Sequence, residues 1–447
     1  MILLSLFSCF SQTLEKSNKQ LILNSEQPTL QEHPEAQDID NDPAILHVEL
    51  RAATKRHEIV DWQRGETIVV DGYAYNDMLP GPTIRANIGD RVIVDFQNDL
   101  DDPTTIHWHG LQVPENMDGV NWNQDPIMPG ESYRYEFMVE TAGTFWYHPH
   151  FDTEHQANHG LYGAFIVEDP ADPDKTGIPI ILDDWSFPYE EDTITEEHFK
   201  RKYLDGIWTV NGVVNPKIEL SSTETQRLRI INASNAGYMD LAMEGAEWIG
   251  SDQGLRAQIT GLEELLLVPG DRVDIQTIGG VLSAHPYSHL GGERFGEALP
   301  LMTVEFPDTT PSFPNWNLSG EIPTPDPGRT DGYYSFQGSP RTGHWLINGE
   351  QFPNITIQEF DFGTTQILEL RNVSATEHPF HLHGLKFEIL SINGEVPSFK
   401  QIEDTYNIKP FERVRILVEM DNLGDWMTHC HILPHAENGM MTVLRVK

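Results

Sequence analysis

The chain has 447 residues, of which 38% are hydrophobic, and its 69 Asp and Glu outnumber 29 Lys and Arg, which leaves a net charge of −40. This length predicts two to four domains. So acidic a surface excludes a nucleic-acid-binding protein and docking onto anionic lipid, because both partners are negatively charged. An apolar run of about 18 residues is absent, which argues against a membrane-spanning helix. The two cysteines, Cys9 and Cys430, are too few for a disulfide scaffold.

The first 43 residues predict a signal-like segment followed by a disordered tether. Residues 1–10, MILLSLFSCF, are apolar but short and lack a leading Lys or Arg. They fit a truncated secretory signal or a lipoprotein signal that would lipidate Cys9, and a frayed cytosolic N-terminus is the third interpretation. Residues 11–43 are polar and acidic with little periodicity, which is typical of a tether. We expect an extracytoplasmic protein, periplasmic or secreted, with a lipid anchor at Cys9 as one form of it.

A repeat then occurs three times. Residues 69–99, 209–235 and 346–374 each run from an apolar strand through a Gly turn and a Pro to alternating apolar residues that end at Asn98, Asn232 and Asn372. The prolines at 82, 216 and 353 recur every ~135 residues, the size of one sandwich domain. Further turns at Pro129, Pro269 and Pro410 each precede a strand of period two.

Short β-branched strands between Gly, Pro and Asn turns are typical of an all-β protein. We predict three tandem Greek-key β-sandwich domains. The linkers are expected near 168–178, which contains EDPADPDKTG, and across 306–343, which is rich in Pro, Gly and Ser. The domains would then span residues 44–170, 178–306 and 340–447.

Ten of the 19 histidines lie in four short histidine windows. The first domain carries IHWHG (106–110) and HPH (148–150), and the third carries HPFHLHG (378–384) and HCHILPH (429–435). Each window contains a His-x-His pair, and alternation along a strand places both imidazoles of a pair on one face. Eight imidazoles exceed the three or four protein ligands of a zinc site, so one zinc ion does not explain them.

The fourth window predicts a second kind of metal site. In His429-Cys430-His431, alternation turns the cysteine away from its neighbours and towards His378, His435 and Met440. Two imidazoles, one thiolate and a weak thioether are the ligand set of a blue-copper electron-transfer site. A bound cation would keep the thiolate deprotonated. The flanking histidines would connect this site to the imidazole cluster by a short covalent path.

These windows resemble the four copper signatures of the three-domain multicopper oxidases, the laccase-like enzymes, and the resemblance covers roughly residues 45–447. It implies three cupredoxin-like domains, of which the middle one holds no copper, and four copper ions. The resemblance assigns the type 1 copper to His378, Cys430, His435 and Met440, and the type 2 copper to His107 and His381. It assigns the two type 3 coppers to His109, His148, His150, His383, His429 and His431.

The resemblance also implies the reaction. A reducing substrate would give single electrons to the type 1 copper, four electrons would pass through Cys430 to the other three coppers, and dioxygen would there be reduced to two waters. Asp118, in ENMDGVNW, matches the family's acidic residue near the type 2 copper. We expect Asp118 to deliver protons, the alternative being that it only caps a turn. Many bacterial members carry Glu directly after the last type 1 His, where this chain has Ala436 followed by Glu437, so the proton route stays open.

We expect an oxidase of phenols and aromatic amines, with oxidation of Cu(I) or Mn(II) as the alternative. The 12 Met are dispersed rather than collected in an insert. A non-catalytic cupredoxin scaffold is the third hypothesis, and the complete ligand set argues against it. The His-Cys-His bridge argues against a copper nitrite reductase. We expect a monomer that takes dioxygen and a small reducing substrate. The nine other histidines, among them His155, His159, His285 and His289, are interpreted as surface residues or neighbours of copper ligands.

Overall fold

The computed structural model describes residues 26–31, 33–173, 177–185, 200, 203–204, 206–221, 227–309, 311–316 and 318–447. Cys9 and the rest of the predicted signal segment lie outside these residues. Among the helices in the described ranges, none combines the length and the apolar character needed to cross a bilayer.

Three β-sandwiches follow one another along the chain. The first contains β1 (Ile45–Asp61), β2 (Glu66–Tyr75), β3 (Gly81–Asn87), β4 (Arg91–Asp99), β5 (His107–His109), β6 (Ser132–Met138), β7 (Gly143–His148) and β8 (Gly163–Glu168). The second contains β9 (Ile178–Asp184), β10 (Trp208–Val210), β11 (Lys217–Glu219), β12 (Arg227–Asn232), β13 (Tyr238–Ala242), β14 (Glu247–Ser251), β15 (Gly254–Gly261), β16 (Leu265–Leu267), β17 (Arg272–Gln276), β18 (Gly280–Ser288), β19 (Glu293–Arg294) and β20 (Leu299–Glu305).

The third sandwich contains β21 (Gly332–Ser339), β22 (His344–Ile347), β23 (Gln358–Phe360), β24 (Thr365–Asn372), β25 (His378–Leu382), β26 (Phe387–Ile392), β27 (Ile402–Glu403), β28 (Thr405–Ile408), β29 (Arg413–Glu419), β30 (Gly424–Cys430) and β31 (Met441–Val446). Short helices lie beside the histidine windows: a 3-10 helix at Glu115–Met117, α1 (Thr153–Asn158) and α2 (Leu433–Glu437).

Each sandwich is made of two sheets. Their strand orders are β2-β1-β4-β6 and β3-β8-β7-β5 in the first domain, β10-β9-β12-β17-β14-β15 and β11-β20-β18-β13-β16 in the second, with β19 beside β18, and β22-β21-β24-β29-β26-β27 and β23-β31-β30-β25-β28 in the third. In every domain the first strand pairs in parallel with a later one, as β1 with β4, β9 with β12 and β21 with β24. The third strand pairs in parallel with the last, as β3 with β8, β11 with β20 and β23 with β31. The predicted all-β fold of three cupredoxin-like sandwiches is confirmed.

The asparagine that ends each repeat has the same structural role in all three domains. Its buried side-chain amide donates to two backbone carbonyls and its carbonyl accepts the backbone N–H two residues later, so it fixes the loop that leaves the strand. The donor bonds of Asn98 reach the Asp102 and Ile127 carbonyls (3.0 and 2.8 Å), those of Asn232 reach Gly237 and Leu267 (2.8 and 3.2 Å), and those of Asn372 reach Thr376 and Ile408 (2.6 and 2.9 Å).

The turn of each repeat is a hairpin whose two central residues both have positive φ, at Asn76–Asp77, Asn211–Gly212 and Asn348–Gly349. Positive φ at both positions defines the type I′ hairpin, which favours Asn followed by Gly. In the first repeat Asp77 occupies the place of this glycine at φ 59°. Gly72, which stands out in the sequence, lies inside β2 instead.

The described residues of the predicted tether, 26–31 and 33–43, contact the folded domains. The Leu30 backbone N–H donates to the Lys217 carbonyl (2.7 Å), and the Ala36 N–H donates to the Thr83 carbonyl (2.8 Å). Leu30 is buried in the core of the second domain. The segment thus pairs in parallel with β11 and with β3, which are both edge strands of their sheets. Edge strands bind extended backbone through unpaired N–H and C=O groups, which needs no hydrophobic pattern, so composition alone predicted disorder wrongly here.

The third domain begins earlier than the predicted residue 340. Its first strand, β21, lies inside the segment predicted as a linker and pairs in parallel with β24. The Gly and Pro residues of this stretch suggested a linker, but Gly332 and Gly338 lie in β21 and serve close packing. A Cβ added to Gly338 would come within 2.1 Å of the Trp345 ring, so only glycine fits there.

The first and third domains pack against each other at the ends of the strands that carry the histidines. The Trp122 indole N–H donates to Asp425 Oδ2 (3.0 Å), and the Asn422 side chain donates to the Val113 carbonyl (3.0 Å). These contacts lie beside β30 and just beyond β5, and so bring the β5–β7 pair opposite the β25–β30 pair.

Candidate metal centres

The smaller cluster of candidate ligands surrounds Cys430 at the end of β30. Its Sγ lies 3.6 Å from Nδ1 of His378 and 3.6 Å from Nδ1 of His435. Met440 is buried in the same apolar cluster as Cys430. The four residues predicted as type 1 ligands are therefore neighbours, and all are buried.

Local backbone structure produces this arrangement. The N–H of Cys430 donates to the Met440 carbonyl (3.1 Å), and the N–H of Met440 donates to the His435 carbonyl (3.0 Å). The five-residue helix α2, with a proline in its first turn, carries His435 back over the end of β30. The Nε2 of His378 lies 2.9 Å from Ser374 Oγ, which leaves Nδ1 facing the sulfur.

Both imidazoles of this cluster are neutral near pH 7. Burial lowers the pKa of His378 to about 3. Burial, together with His378 and His289, lowers the pKa of His435 well below its ordinary value. A neutral imidazole keeps a lone pair for a metal, and the addition of a thiolate favours a soft ion such as copper.

Aromatic side chains cover the cluster on the side of His435. The Trp345 indole stacks on the imidazole of His435 at a centroid distance of 3.5 Å and an interplanar angle of 20°. His289 of the second domain is buried, stacks on Tyr238 and lies 5.9 Å from the His435 ring. Of the histidines outside the windows, His289 is thus a neighbour of a predicted copper ligand, whereas His285 lies half-buried in β18.

The larger cluster joins eight imidazoles across the interface between the first and third domains. Pairing of β5 with β7 sets His107 opposite His148, and pairing of β25 with β30 sets His381 opposite His429. Ligand nitrogens lie within 4.8 Å of one another in three groups: His107, His109 and His148; His107, His381 and His383; and His150, His383 and His429. The His431 ring lies 4.9 Å from that of His109. All eight predicted ligands of the type 2 and type 3 coppers come together.

The nitrogens that face the middle of this cluster fit bound metal. Five of the imidazoles have buried nitrogens without a hydrogen-bond partner, namely Nε2 of His107, His148 and His381, Nδ1 of His109, and both nitrogens of His431. Leaving a buried polar atom unsatisfied costs about 1–3 kcal/mol, and a metal ion would satisfy these atoms. Ring nitrogens that point away from the middle of the cluster donate hydrogen bonds to backbone carbonyls. Nδ1 of His148 donates to the Pro149 carbonyl (2.9 Å), and Nδ1 of His429 donates to the Cys430 carbonyl (2.9 Å).

Burial and the surrounding imidazoles also keep the cluster uncharged. Burial is the main reason that the pKa values of His148, His150, His383 and His431 lie well below the ordinary histidine value, and neighbouring imidazoles lower them further. Neutral nitrogens in this number, linked to a thiolate by sequence neighbours, suit copper ions.

Asp118 contacts one ligand from each of the two domains. Its Oδ2 lies 2.9 Å from Nδ1 of His383, and its Oδ1 lies 3.2 Å from Nδ1 of His107. The side chain is fully buried, directly after the 3-10 helix. This places the predicted acid at the cluster, and its contacts go beyond those of a turn cap.

Two buried residues at the cluster were not predicted. Asp404 Oδ1 lies 3.3 Å from Nε2 of His109 and 3.4 Å from Nδ1 of His381, and Arg272 forms an ion pair with the same carboxylate. Burial alone would raise the pKa of Asp404, but the Arg272 guanidinium outweighs it and holds this pKa well below the ordinary value. No local motif marks either residue. Asp404 reaches the cluster only because β28 pairs with β25.

Glu437, the alternative proton carrier, faces helix α1. Its Oε1 accepts the N–H of Thr153 (2.9 Å) at the start of that helix. Burial raises the pKa of Glu437. His155 and His159 pack against each other further along, at 4.2 Å between ring centroids, and Tyr73 contacts both.

The chain is similar to known proteins in both sequence and structure. Two family models described as multicopper oxidase match residues 59–172 and 325–447. The multicopper oxidase mco of Staphylococcus epidermidis is 32% identical over 396 residues, which covers 83% of each chain. A multicopper oxidase structure from Campylobacter jejuni, described as a metallo-oxidase, is 28% identical with a TM-score of 0.78 and covers 95% of this chain and 96% of its own.

A third relative is the laccase-like multicopper oxidase CueO from an Ochrobactrum species, described as active towards lignin model compounds and lignosulfonate. Its structure is 25% identical, with a TM-score of 0.76, and covers 94% of this chain and 100% of its own. The cysteine sulfur lies between two imidazoles, and the imidazole cluster lies between two of three sandwiches. Together with relatives that match along almost the whole described fold, these features show that this chain belongs to the multicopper oxidases, the copper-binding oxidoreductases that use dioxygen.

Proposed function

We propose that this multicopper oxidase uses four copper ions to couple one-electron oxidations of a phenol or an aromatic amine to the reduction of dioxygen to water. One observation carries the proposal: Cys430 Sγ lies between two imidazoles, while the residues on either side of Cys430 belong to the eight-imidazole cluster.

The residues that would hold copper follow from the two clusters. One ion would be held by His378, Cys430, His435 and Met440, and three by His107, His109, His148, His150, His381, His383, His429 and His431. When bound, copper would supply the one-electron acceptor at the first cluster and the four-electron reduction of dioxygen at the second.

The chain's own residues would connect the two clusters. The path from Cys430 Sγ runs through its backbone to His429 and His431. The Nδ1 of His429 also donates to the Cys430 carbonyl at 2.9 Å, which adds a hydrogen-bonded branch to the covalent one. Because Cys430, His429 and His431 are all buried, water is excluded along this path.

Asp118 is proposed to hold and transfer protons at the imidazole cluster. Its two carboxylate oxygens lie next to ring nitrogens of His107 and His383, which belong to different domains. A buried carboxylate in this position can accept a proton from an entering water and release it beside the ligands.

The surroundings of His435 favour an organic reductant. Trp345 stacks on the ring and is itself buried, so these surroundings are apolar and supply no ligand to an ion. Glu377, the carboxylate next to His378, already accepts hydrogen bonds from Tyr287 (2.8 Å) and Asn407 (2.6 Å). In the described ranges, the groups of three potential metal ligands fall within the two clusters and leave none beside His435 for a substrate ion.

Oxidation of Cu(I) or Mn(II) is the second candidate function. The net charge of −40 attracts cations, and the similar structure from Campylobacter jejuni is described as a metallo-oxidase.

Dioxygen uptake by the copper-loaded protein tests the proposal. A phenol, an aromatic amine, Cu(I) and Mn(II) are supplied in parallel, with Cys430→Ser as the control that lacks the sulfur. We expect uptake with the phenol and the amine at a higher kcat/KM than with either metal ion. The reverse order would assign the protein to metal oxidation, and no uptake with any reductant would overturn both functions.

We also propose that the protein works outside the cytoplasm as a monomer. The signal-like first residues and the acidic composition support this location. Cell fractionation, mass analysis of Cys9 for a lipid and size-exclusion chromatography test the location, the anchor and the oligomeric state separately.

A further inference from the structure

A buried arginine of the second domain contacts residues beside the imidazole cluster. Arg272 begins β17 and has no exposed surface in its side chain. Its Nε donates to the Thr144 carbonyl of the first domain (3.0 Å), and its Nη1 donates to Asp404 Oδ1 of the third domain (2.7 Å) and to the Gly270 carbonyl (3.1 Å). Its Nη2 donates to Asp404 Oδ2 and to the Asp252 carbonyl. All five N–H donors of the guanidinium are used, and they join all three domains.

Asp404 connects Arg272 to the candidate ligands His109 and His381. Its Oδ1 faces Nε2 of His109 at 3.3 Å and Nδ1 of His381 at 3.4 Å, and its backbone carbonyl lies 3.0 Å from the same Nδ1. Thr405 Oγ1 lies 3.3 Å from His109 and 3.1 Å from His381. One carboxylate thus faces one ligand from the first domain and one from the third.

These contacts determine which ring nitrogen is left for a metal. When Nε2 of His109 donates to Asp404, its lone pair lies on Nδ1, and when Nδ1 of His381 donates, the lone pair lies on Nε2. These two nitrogens, Nδ1 of His109 and Nε2 of His381, are among the buried ring nitrogens of the cluster that have no hydrogen-bond partner. The Asp404 carboxylate at His109 and the Asp404 backbone carbonyl at His381 therefore select the tautomers that leave these two nitrogens available to a metal.

Both oxygens of the carboxylate are held by the Arg272 guanidinium, Oδ1 by Nη1 and Oδ2 by Nη2. A lysine has one charged nitrogen and no planar fork, so it cannot bind both oxygens and also reach Thr144.

We propose that Arg272 is a positioning residue for the imidazole cluster: from the domain without copper ligands, it holds Asp404 so that His109 and His381 present the correct nitrogens, and it thereby sets the copper affinity of that cluster. The inference rests on the proposed copper binding at the cluster.

Arg229 offers a matched control. It is equally buried in the second domain and also contacts Thr144, at Oγ1 (3.0 Å), but its other partners are Asp274 (3.2 Å) and Glu168 (2.7 Å). These partners lie at the interface of the first two domains and none is a candidate copper ligand. Arg229→Lys therefore removes a buried guanidinium group from the same region without changing any contact of the candidate ligands.

The experiment compares full-length copper-loaded wild type with Arg272→Lys, Asp404→Asn and Arg229→Lys. Copper per chain is measured after titration with a competing chelator, together with the type 1 visible band, the type 2 electron paramagnetic resonance signal and thermal unfolding. We expect Arg272→Lys and Asp404→Asn to weaken copper binding at the cluster by about 10–100-fold and to lose the type 2 signal while the visible band remains. Arg229→Lys should unfold at a lower temperature with the copper content of the wild type.

Asp404→Asn tests the same link from the third domain if Arg272→Lys does not fold. The inference would be overturned if Arg272→Lys or Asp404→Asn, once folded, bound copper at the cluster with wild-type affinity. It would also be overturned if these variants lost no more cluster copper than Arg229→Lys does. A wild type that binds type 1 copper but none at the cluster would overturn the proposed function and the inference together. Retention of cluster copper in wild type and variants alike would overturn the inference alone.

Discussion

At the level of single residues, Cys430 connects the two clusters of candidate ligands. The sulfur lies 3.6 Å from two imidazole nitrogens of its own cluster. The residues before and after it belong to the other cluster. A change of this one side chain is therefore expected to affect both the colour and the reaction.

We expect Cys430→Ser to abolish the blue absorption band and turnover together, because a hydroxyl does not supply the thiolate on which both depend. Copper at the imidazole cluster should remain, since its eight ligands are unchanged. Visible spectroscopy, copper analysis and dioxygen uptake measure the three properties. A variant that kept either the band or the activity would contradict the assignment.

Met440 is the residue expected to tune the redox potential. A weak axial thioether gives a lower potential than an apolar side chain in its place, so Met440→Leu should raise the type 1 potential and keep the blue colour. Met441→Leu, one position further and in β31, is the matched control and should leave the potential unchanged. Redox titration of the visible band makes the measurement, and equal potentials in wild type and Met440→Leu would disprove the axial assignment.

At the level of elements, the same strand-ending asparagine supports a loop in each sandwich. Asn232 shows the effect without a contribution from copper, because its domain holds no predicted ligand. Its Nδ2 donates to two buried carbonyls, and its Oδ1 accepts the N–H of Ser234. The loop between β12 and β13 therefore depends on one side chain.

Asn232→Ala should lower the free energy of unfolding by about 1–3 kcal/mol, because it leaves buried carbonyls without a donor. Denaturant titration of the metal-free protein measures the loss. The exposed Asn41→Ala serves as the control and is expected to change stability by less than about 0.5 kcal/mol. A loss of that small size for Asn232→Ala would show that the loop is held by other contacts.

The strand pattern also explains why some elements were predictable and others were not. A His-x-His pair can be recognised within three residues, and the pairing of β5 with β7 and of β25 with β30 then brings the pairs together. Arg272 and Asp404 belong to no such local pattern, and only the contact of three domains gives them a role. Leu30 lies in a polar segment that pairs with the second domain through backbone hydrogen bonds. Such pairing cannot be predicted from side-chain composition.

At the level of the whole molecule, metal and protons compete for the same nitrogens. Burial lowers the pKa of His378 and of His429 to about 3, against 6.5 for an ordinary histidine. Below pH 6.5 the unfolded chain therefore binds more protons than the folded one, so the folded state loses stability as the pH falls from 6.5 towards 3.

We expect the metal-free protein to unfold steeply on acidification over this range and to be less stable than the copper-bound form at neutral pH. Metal that binds only the folded state at 1,000 times its Kd adds about 4 kcal/mol of stability. Thermal unfolding with and without copper, from pH 7 to 4, tests both statements. A melting temperature that depends on neither copper nor pH would show that the imidazoles are not shared between the domains as described.

The pairing of residues 28–30 with β11 and of residues 34–36 with β3 has a consequence for the molecule's behaviour in concentrated solution. The segment occupies one open side of a sheet in each of two domains. A shortened chain that starts at residue 44 would leave those N–H and C=O groups available to another copy. Such a chain should self-associate at concentrations at which the full chain stays dispersed, which light scattering would detect.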